Sequence, residues 1–255
     1  MRSQLIVSGC LLVAACGPSA GSGIDAPGAA DAPTPDAGPV PDAGPQVDAL
    51  GCGELPIVYR DFQASHPDFE GATGAETGLV QAMLGVDNKP VYAPSGATTT
   101  VSGQASFDQW YRDVAGVNQT FTRGLPLVQE PPGSGTYVFD DQAFFPLDGL
   151  GFGYEGNPTN FHFTSEIHGT FTYRGGESFQ FTGDDDVWVF VNKRLALDLG
   201  GVHGPDTRTI DFDASAAALG ITTGSTYQLD VFHAERHTDQ STFRMVTTID
   251  CFVIQ

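Results

Sequence analysis

Basic residues are scarce in this chain: 11 Lys and Arg stand against 31 Asp and Glu in 255 residues. Gripping a phosphate backbone takes a basic surface, so no nucleic-acid partner is expected. Long apolar runs are lacking too. The stretch from Leu5 to Ala15 is broken by small residues and falls short of the roughly 20 residues that span a bilayer. Helix signals are few and short, at Gly78 to Leu84, Phe107 to Val114 and Ala214 to Leu219. No nucleophile elbow occurs, and the histidines sit in no triad-like setting, which argues against acyl-transfer chemistry.

The beginning of the chain reads as an export signal over residues 1–15. Arg2 precedes the apolar stretch, and Val13-Ala14-Ala15-Cys16 resembles the bacterial lipobox, in which the cysteine is acylated after cleavage. Cys16 is then the lipidation site of a lipoprotein exported to the outer membrane or cell surface. The alternative is ordinary cleavage and free secretion. Residues 16–50 are built mainly from Gly, Pro, Ala and Asp, with Pro35-Asp36-Ala37-Gly38-Pro39 returning as Pro41-Asp42-Ala43-Gly44-Pro45. Such a segment lacks the aromatic and branched side chains that offset ordering entropy, and reads as a disordered linker. Largely extended, it reaches up to roughly 100 Å.

Residues 51–255 are expected to form one domain. With Cys10 in the signal and Cys16 acylated, Cys52 and Cys251 remain at opposite ends of that domain, and in an oxidising compartment they are expected to pair. From Phe161 to Tyr173 apolar and polar residues mostly alternate with the period of two that marks a strand or hairpin. Val187-Trp188-Val189-Phe190-Val191 is apolar on both faces, as in a central strand. Further strands are predicted at Ile57 to Phe62, Arg208 to Phe212, Tyr227 to Phe232 and Thr242 to Val253. Many short strands separated by Gly, Asn and Asp turns argue for an all-β sandwich or barrel with a few short helices.

Between two of these strands stand Asp184, Asp185 and Asp186. A regular strand would aim them at different faces, so a turn is the better place. Neighbouring carboxylates there repel unless a cation, backbone N–H groups or protonation relieves them. Calcium, a hard cation taking six to eight oxygen ligands, suits such a turn. The other reading is a solvated Asp turn that caps its own backbone.

Several ordered motifs carry a resemblance. Arg60-Asp61-Phe62 with His66-Pro67-Asp68-Phe69, Phe107-Asp108-Gln109-Trp110-Tyr111, Phe144-Phe145-Pro146-Leu147-Asp148, Gly183 to Phe190, Asp198-Leu199-Gly200-Gly201-Val202-His203-Gly204, and Phe232 to His237 are similar to the fibro-slime domain. That domain in turn resembles the PA14 group, β-sandwich modules of adhesins, toxins and glycosidases. In sugar-binding PA14 adhesins two adjacent aspartates joined by a cis peptide hold calcium, which ligates sugar hydroxyls. The resemblance places that pair on Asp184 and Asp185, with Asp186 beside them where the broader pattern often has glycine. Asp198 is a further candidate metal ligand. His203 in the glycine-rich turn, and Trp110 as an exposed stacking platform, are candidate ligand-binding residues, whereas Trp188 reads as core.

Two other chemistries compete. His233 and His237, four apart after a strand, would stand about 13 Å from each other in extended chain and could share a zinc only if the chain turned between them. A Glu235–Arg236 loop network is the preferred reading there. Glycoside hydrolysis requires two carboxyl groups about 5 to 10 Å apart, for which Glu166, Asp184, Asp185 and Glu235 are candidates. The expectation is a calcium-dependent binding module on the cell surface, with a polysaccharide or cell-surface glycan as partner and no catalytic residue. A structural or protein-binding surface lipoprotein is the alternative, and a polysaccharide hydrolase the third reading.

Overall fold

The computed structural model describes residues 54–254. Strands dominate: β1 (Leu55–Phe62), β2 (Gly74–Ala75), β3 (Asn118–Leu125), β4 (Val128–Gln129), β5 (Tyr137–Asp141), β6 (Phe163–Thr172) and β7 (Ser178–Gly183) in the first part. After them come β8 (Asp186–Val191), β9 (Arg194–Leu199), β10 (Gly201–Val202), β11 (Asp206–Asp211), β12 (Thr226–Glu235), β13 (Phe243–Thr247) and β14 (Val253–Ile254). Two short helices, α1 (Gln104–Phe107) and α2 (Phe212–Leu219), complete the described residues. Asp211 caps α2, its carboxylate accepting from Ala214 N, and Gly220 ends it with φ 67°.

Among the described residues the strands form two large antiparallel sheets that face each other and a small two-stranded one, β10-β2. The larger has the order β3-β1-β6-β12-β8-β9, with β14 also paired to β6, and the smaller has β11-β7-β13-β5-β4. Between them lies a core that includes Phe163, Phe171, Phe179, Phe181, Val187, Val189, Val191, Val231 and Phe243.

A second core explains why β8 is buried along its whole length. Trp188, Phe190, Phe232 and Ala234 point away from the smaller sheet. They pack against Leu79, Val80, Leu84, Tyr92, Phe107, Trp110 and Tyr111, contributed by the long segment before β3. Alternate residues of one strand therefore serve two cores, which is the physical content of an apolar run without alternation.

Two predicted helices are corrected by this packing. Over Gly78 to Leu84 there is no helix; Val80 bridges Tyr92 and Met83 bridges Arg194 in extended conformation. The apolar spacing there follows the second core and not a helical face. Of Phe107 to Val114 only Phe107 is helical; Asp108 to Tyr111 form turns and the chain beyond is irregular. The strand predicted over Thr242 to Val253 is two strands, β13 and β14, on different sheets.

Candidate functional site

Three neighbouring connections pass from one sheet to the other at one end of the sandwich. The Asp184–Asp185 turn joins β7 of the smaller sheet to β8 of the larger. Residues 200–205 lead from β9 to β11, and residues 236–242 lead from β12 to β13, again between sheets. Register brings these crossings together, since Ala234 pairs with Asp186 and Phe243 pairs with Gly183.

The crossings enclose a pocket of about 200 Å³. Asp184, Asp185, Val202, His203, Gly204, His237, Thr238, Asp239 and Gln240 line it, together with Thr73. The Asp184–Asp185 peptide bond is cis. Asp184 and Asp185 are 1% and 5% exposed.

Their hydrogen bonds differ. Asp185 accepts from two backbone amides on the other crossings, His203 N to Oδ1 at 3.1 Å and Arg236 N to Oδ2 at 3.0 Å. Asp184 Oδ1 accepts from Thr242 N at 2.5 Å, but its buried Oδ2 has no hydrogen-bond partner. The Asp184 carbonyl lies 2.8 Å from His233 Nε2, and burial lowers that imidazole to a pKa of about 4, so the neutral ring donates.

Asp186 belongs to a different environment. It opens β8, is fully buried, and accepts from Arg236 Nε at 2.6 Å and from Gly201 N at 2.6 Å. Gly201 has φ 105°, and a Cβ there would run into the backbone of Gly74 and Glu76, so this amide approaches Asp186 only from a glycine. Arg236 also donates from Nη1 to the carbonyls of Asp68 and Thr100, and its guanidinium lies 4.6 Å from the Trp110 ring centroid.

The carboxylates left without that cation are driven toward protonation. Burial, then the nearby charge of Asp186, pushes Asp185 up to about 8, and burial pushes Asp184 up to about 6. Glu235, at the end of β12, is pushed well up by burial and by the charges of Asp185 and Asp184. Neither of its oxygens has a partner at full hydrogen-bond geometry, and the nearby Ser241 hydroxyl and His237 amide only partly offset that rise.

The structure thus sorts the sequence-predicted residues. Asp184, Asp185 and His203 meet at the pocket, while Asp186 is an internal ion pair. Asp198 is not aimed there: Oδ1 accepts from Trp188 Nε1 at 2.9 Å and from Gly200 N at 3.1 Å, and Oδ2 accepts from Gly78 N at 2.8 Å. Trp110 is fully buried, its indole donating to Asp68 Oδ2 at 3.0 Å, so it offers no stacking surface. The Glu235–Arg236 network is replaced by Arg236–Asp186. Glu166 does not line the pocket, and its oxygens take Arg60 Nη1 at 3.0 Å and Lys89 Nζ at 2.5 Å. Sequence reasoning missed the wall formed by Thr238, Asp239 and Gln240, which lies more than 50 residues from the acidic turn.

Among the described residues no three or more His, Cys, Asp or Glu side chains converge as a ready-made metal site. Two carboxylates facing one polar pocket, one with a free buried oxygen, nonetheless suit a hard cation that completes its shell with carbonyl oxygens and water. Cys251 is half-buried beside β14, and Cys16 and Cys52 lie outside the described residues.

The fold is an all-β sandwich, and the PA14 domain model matches residues 150–250 of the chain. Two curated relatives come from Dictyostelium discoideum. Protein psiQ is 39% identical over 217 residues, covering 80% of this chain and 21% of its own length. Protein psiD is 41% identical over 200 residues, covering 72% and 38%. The chain therefore spans between about a fifth and two fifths of these relatives. Among solved structures it is similar to a PA14 sugar-binding domain from an RTX adhesin, with TM-score 0.37, 10% identity, and 76% and 88% of the two chains covered. It is also similar to the PA14 domain of the MpAFP antifreeze protein, with TM-score 0.31, 8% identity, and 79% and 86% covered.

Proposed function

We propose that this domain is a calcium-dependent carbohydrate-binding or adhesion module displayed outside the cell. Asp184 and Asp185 hold the ion, and a glycan of a polysaccharide or cell surface brings hydroxyl oxygens to it in the pocket beside His203 and the 237–240 loop. The observation that carries this reading is the buried Asp184 Oδ2, without a hydrogen-bond partner beside a polar pocket. A buried carboxylate in that position is stabilised by a proton or by a cation, and the neighbouring Arg236 is committed to Asp186. Calcium takes carboxylate, carbonyl and water oxygens in flexible geometry, and extracellular sites work at roughly 0.1 to 1 mM.

The match of residues 150–250 to the PA14 domain takes in all of the pocket except Thr73. Binding is favoured over hydrolysis because Glu166 is held by Arg60 and Lys89 and Glu235 lies sealed behind the aspartates. Lipid attachment at Cys16, a bacterial source and the fibro-slime assignment rest on sequence motifs and belong to this proposal. A second reading, in which the turn only braces the fold, draws on the two amides that Asp185 ties together.

Calorimetric titration of the purified protein with calcium, beside an Asp184→Asn/Asp185→Asn variant, tests the site. Saturable binding at or below about 1 mM, lost in the variant and followed by chelator-sensitive binding to a glycan panel, is the expected result. Calcium binding that raises stability without any glycan would leave the bracing reading standing; no calcium binding would remove the mechanism.

A further inference from the structure

The 236–242 crossing is fixed at its C-terminal end by Thr242 N on Asp184 and by Ser241 O, which accepts from Phe144 N at 2.9 Å. Its pocket-facing middle is fixed from outside the site. Thr238 donates its amide to Glu70 Oε1 at 2.9 Å and its hydroxyl to Glu70 Oε2 at 3.2 Å. Glu70 belongs to the segment between β1 and β2 and does not line the pocket.

Glu70 is itself held in place. Its φ of 54° is left-handed, a conformation that residues other than glycine seldom adopt, and its amide donates to the Arg236 carbonyl at 2.9 Å. Its Oε1 also contacts His162 Nε2 at 2.8 Å, and that buried ring stands just before β6 with Glu155 Oε2 at 3.4 Å from its Nδ1. An exposed ion pair alone contributes little. Here, however, the carboxylate connects a ring anchored at the sheet to the backbone of a pocket wall. Beyond that contact, Asp239 and Gln240 stand exposed at the pocket.

We propose that Glu70 is a positioning residue for the pocket: through Thr238 it sets where Asp239 and Gln240 meet the ligand, while the Asp184–Asp185 pair holds the ion independently of it. This rests on the calcium-dependent reading above. Small displacements of ligand-contacting groups lower affinity steeply, whereas a purely structural residue would move stability and every binding constant together.

The test compares wild type, Glu70→Ala and Glu70→Gln by calcium titration, by titration of the calcium-loaded protein with methyl glucoside, and by amide hydrogen exchange at Thr238, Asp239 and Gln240. Glu70→Ala is expected to weaken the glucoside at least tenfold, keep calcium affinity within threefold, and speed exchange of the Thr238 amide at least tenfold. Glu70→Gln keeps an acceptor for that amide and is expected to stay within threefold of wild type throughout. Unchanged exchange in Glu70→Ala overturns the proposal, as does a parallel fall of calcium affinity and melting temperature, or failure of Glu70→Gln to restore the wild-type values. Wild type that takes up calcium but no glucoside counts against that ligand and not against Glu70, whose role the exchange rates then decide.

Discussion

Arg236 gives its guanidinium to Asp186, Nε to Oδ2 at 2.6 Å, and only its backbone amide to Asp185 one residue earlier in the turn. The acidic turn is thereby split into a neutralised part facing the interior and an unneutralised part facing the pocket. Each part predicts a different response to mutation.

Removing the buried cation should be costly. Arg236→Met leaves Asp186 charged and unpaired within the protein, which costs about 3 to 5 kcal/mol. Urea unfolding should show this loss, and the Arg236→Met/Asp186→Leu double variant should recover part of it. A single variant as stable as wild type would mean that Asp186 is solvated or protonated.

At the pocket the sign reverses, because Asp184 and Asp185 burden the fold when ionised without a cation. Calcium at 100 times its Kd should stabilise the protein by about 2.7 kcal/mol, read as a rise of several degrees in Tm. Asp184→Asn should lose that response without losing stability in calcium-free buffer. An equal Tm rise in the variant would place the ion elsewhere.

The outer face of the larger sheet predicts a pH dependence. Burial alone would lower His168, but hydrogen bonds to Asp230 and Glu166 prevail and raise it from 6.5 to about 9. A raised histidine stabilises fully below the unfolded value, so the advantage of wild type over His168→Gln should be complete below pH 6.5 and fade as pH rises through about 9. Glu166 is the mirror case. Burial opposes its ionisation, yet hydrogen bonding from His168 and the charges of Arg60 and Lys89 hold it down at about 2. Its advantage over Glu166→Gln should be present above pH 4.5 and disappear as pH falls toward about 2. Flat difference profiles from equilibrium unfolding across these windows would contradict the network.

Cys52 and Cys251 are expected to pair in an oxidising compartment, and Cys251 stands just before β14, which Val253 holds opposite Thr170 of β6. Cys52→Ser should therefore destabilise the protein by up to roughly 5 kcal/mol, the entropy of a loop of about 200 residues, and reduction of wild type should do the same. Identical unfolding with and without reductant would refute the pairing.

Trp110→Ala should cost about 3 to 5 kcal/mol as a core deletion. Any loss of glycan affinity should follow the lost stability, as unfolding and binding measured together would show. A selective loss of binding in a fully stable variant would return Trp110 to the site.

Much of the sheet was legible because a strand buried on one face alternates and one buried on both does not. β8 follows the second pattern over Val187 to Val191. β6 alternates in sequence, but Thr164 and Glu166 on its polar face are buried too, so its alternation marks the face that meets the inter-sheet core and not a face that meets water. β3 was not legible: Asn118 to Leu125 is an exposed edge strand with few apolar residues to set a period. The segment around Leu79 misled because its apolar residues answer to a second core that local spacing does not reveal. Asp184 and Asp185 stood out as adjacent like charges needing relief. Glu70 and the wall at Thr238, Asp239 and Gln240 did not, and Glu235 and His237 were noticed only for other chemistries, since nothing local to them signals that β12 and β13 return beside Gly183.

The packing around Gly169 has a mechanical consequence. Phe252 before β14 crowds the position where a Cβ of Gly169 would stand and Leu55 at the start of β1 touches it, whereas Phe163 at the other end of β6 pairs with Glu235 behind the pocket. From Phe163 to Thr170 the strand covers roughly 23 Å. A load applied between a ligand in the pocket and the chain entering at Leu55 would run lengthwise along β1 against β6. Such a load shears a row of backbone hydrogen bonds together instead of peeling them one by one, so the grip would resist pulling along the strands far better than across them.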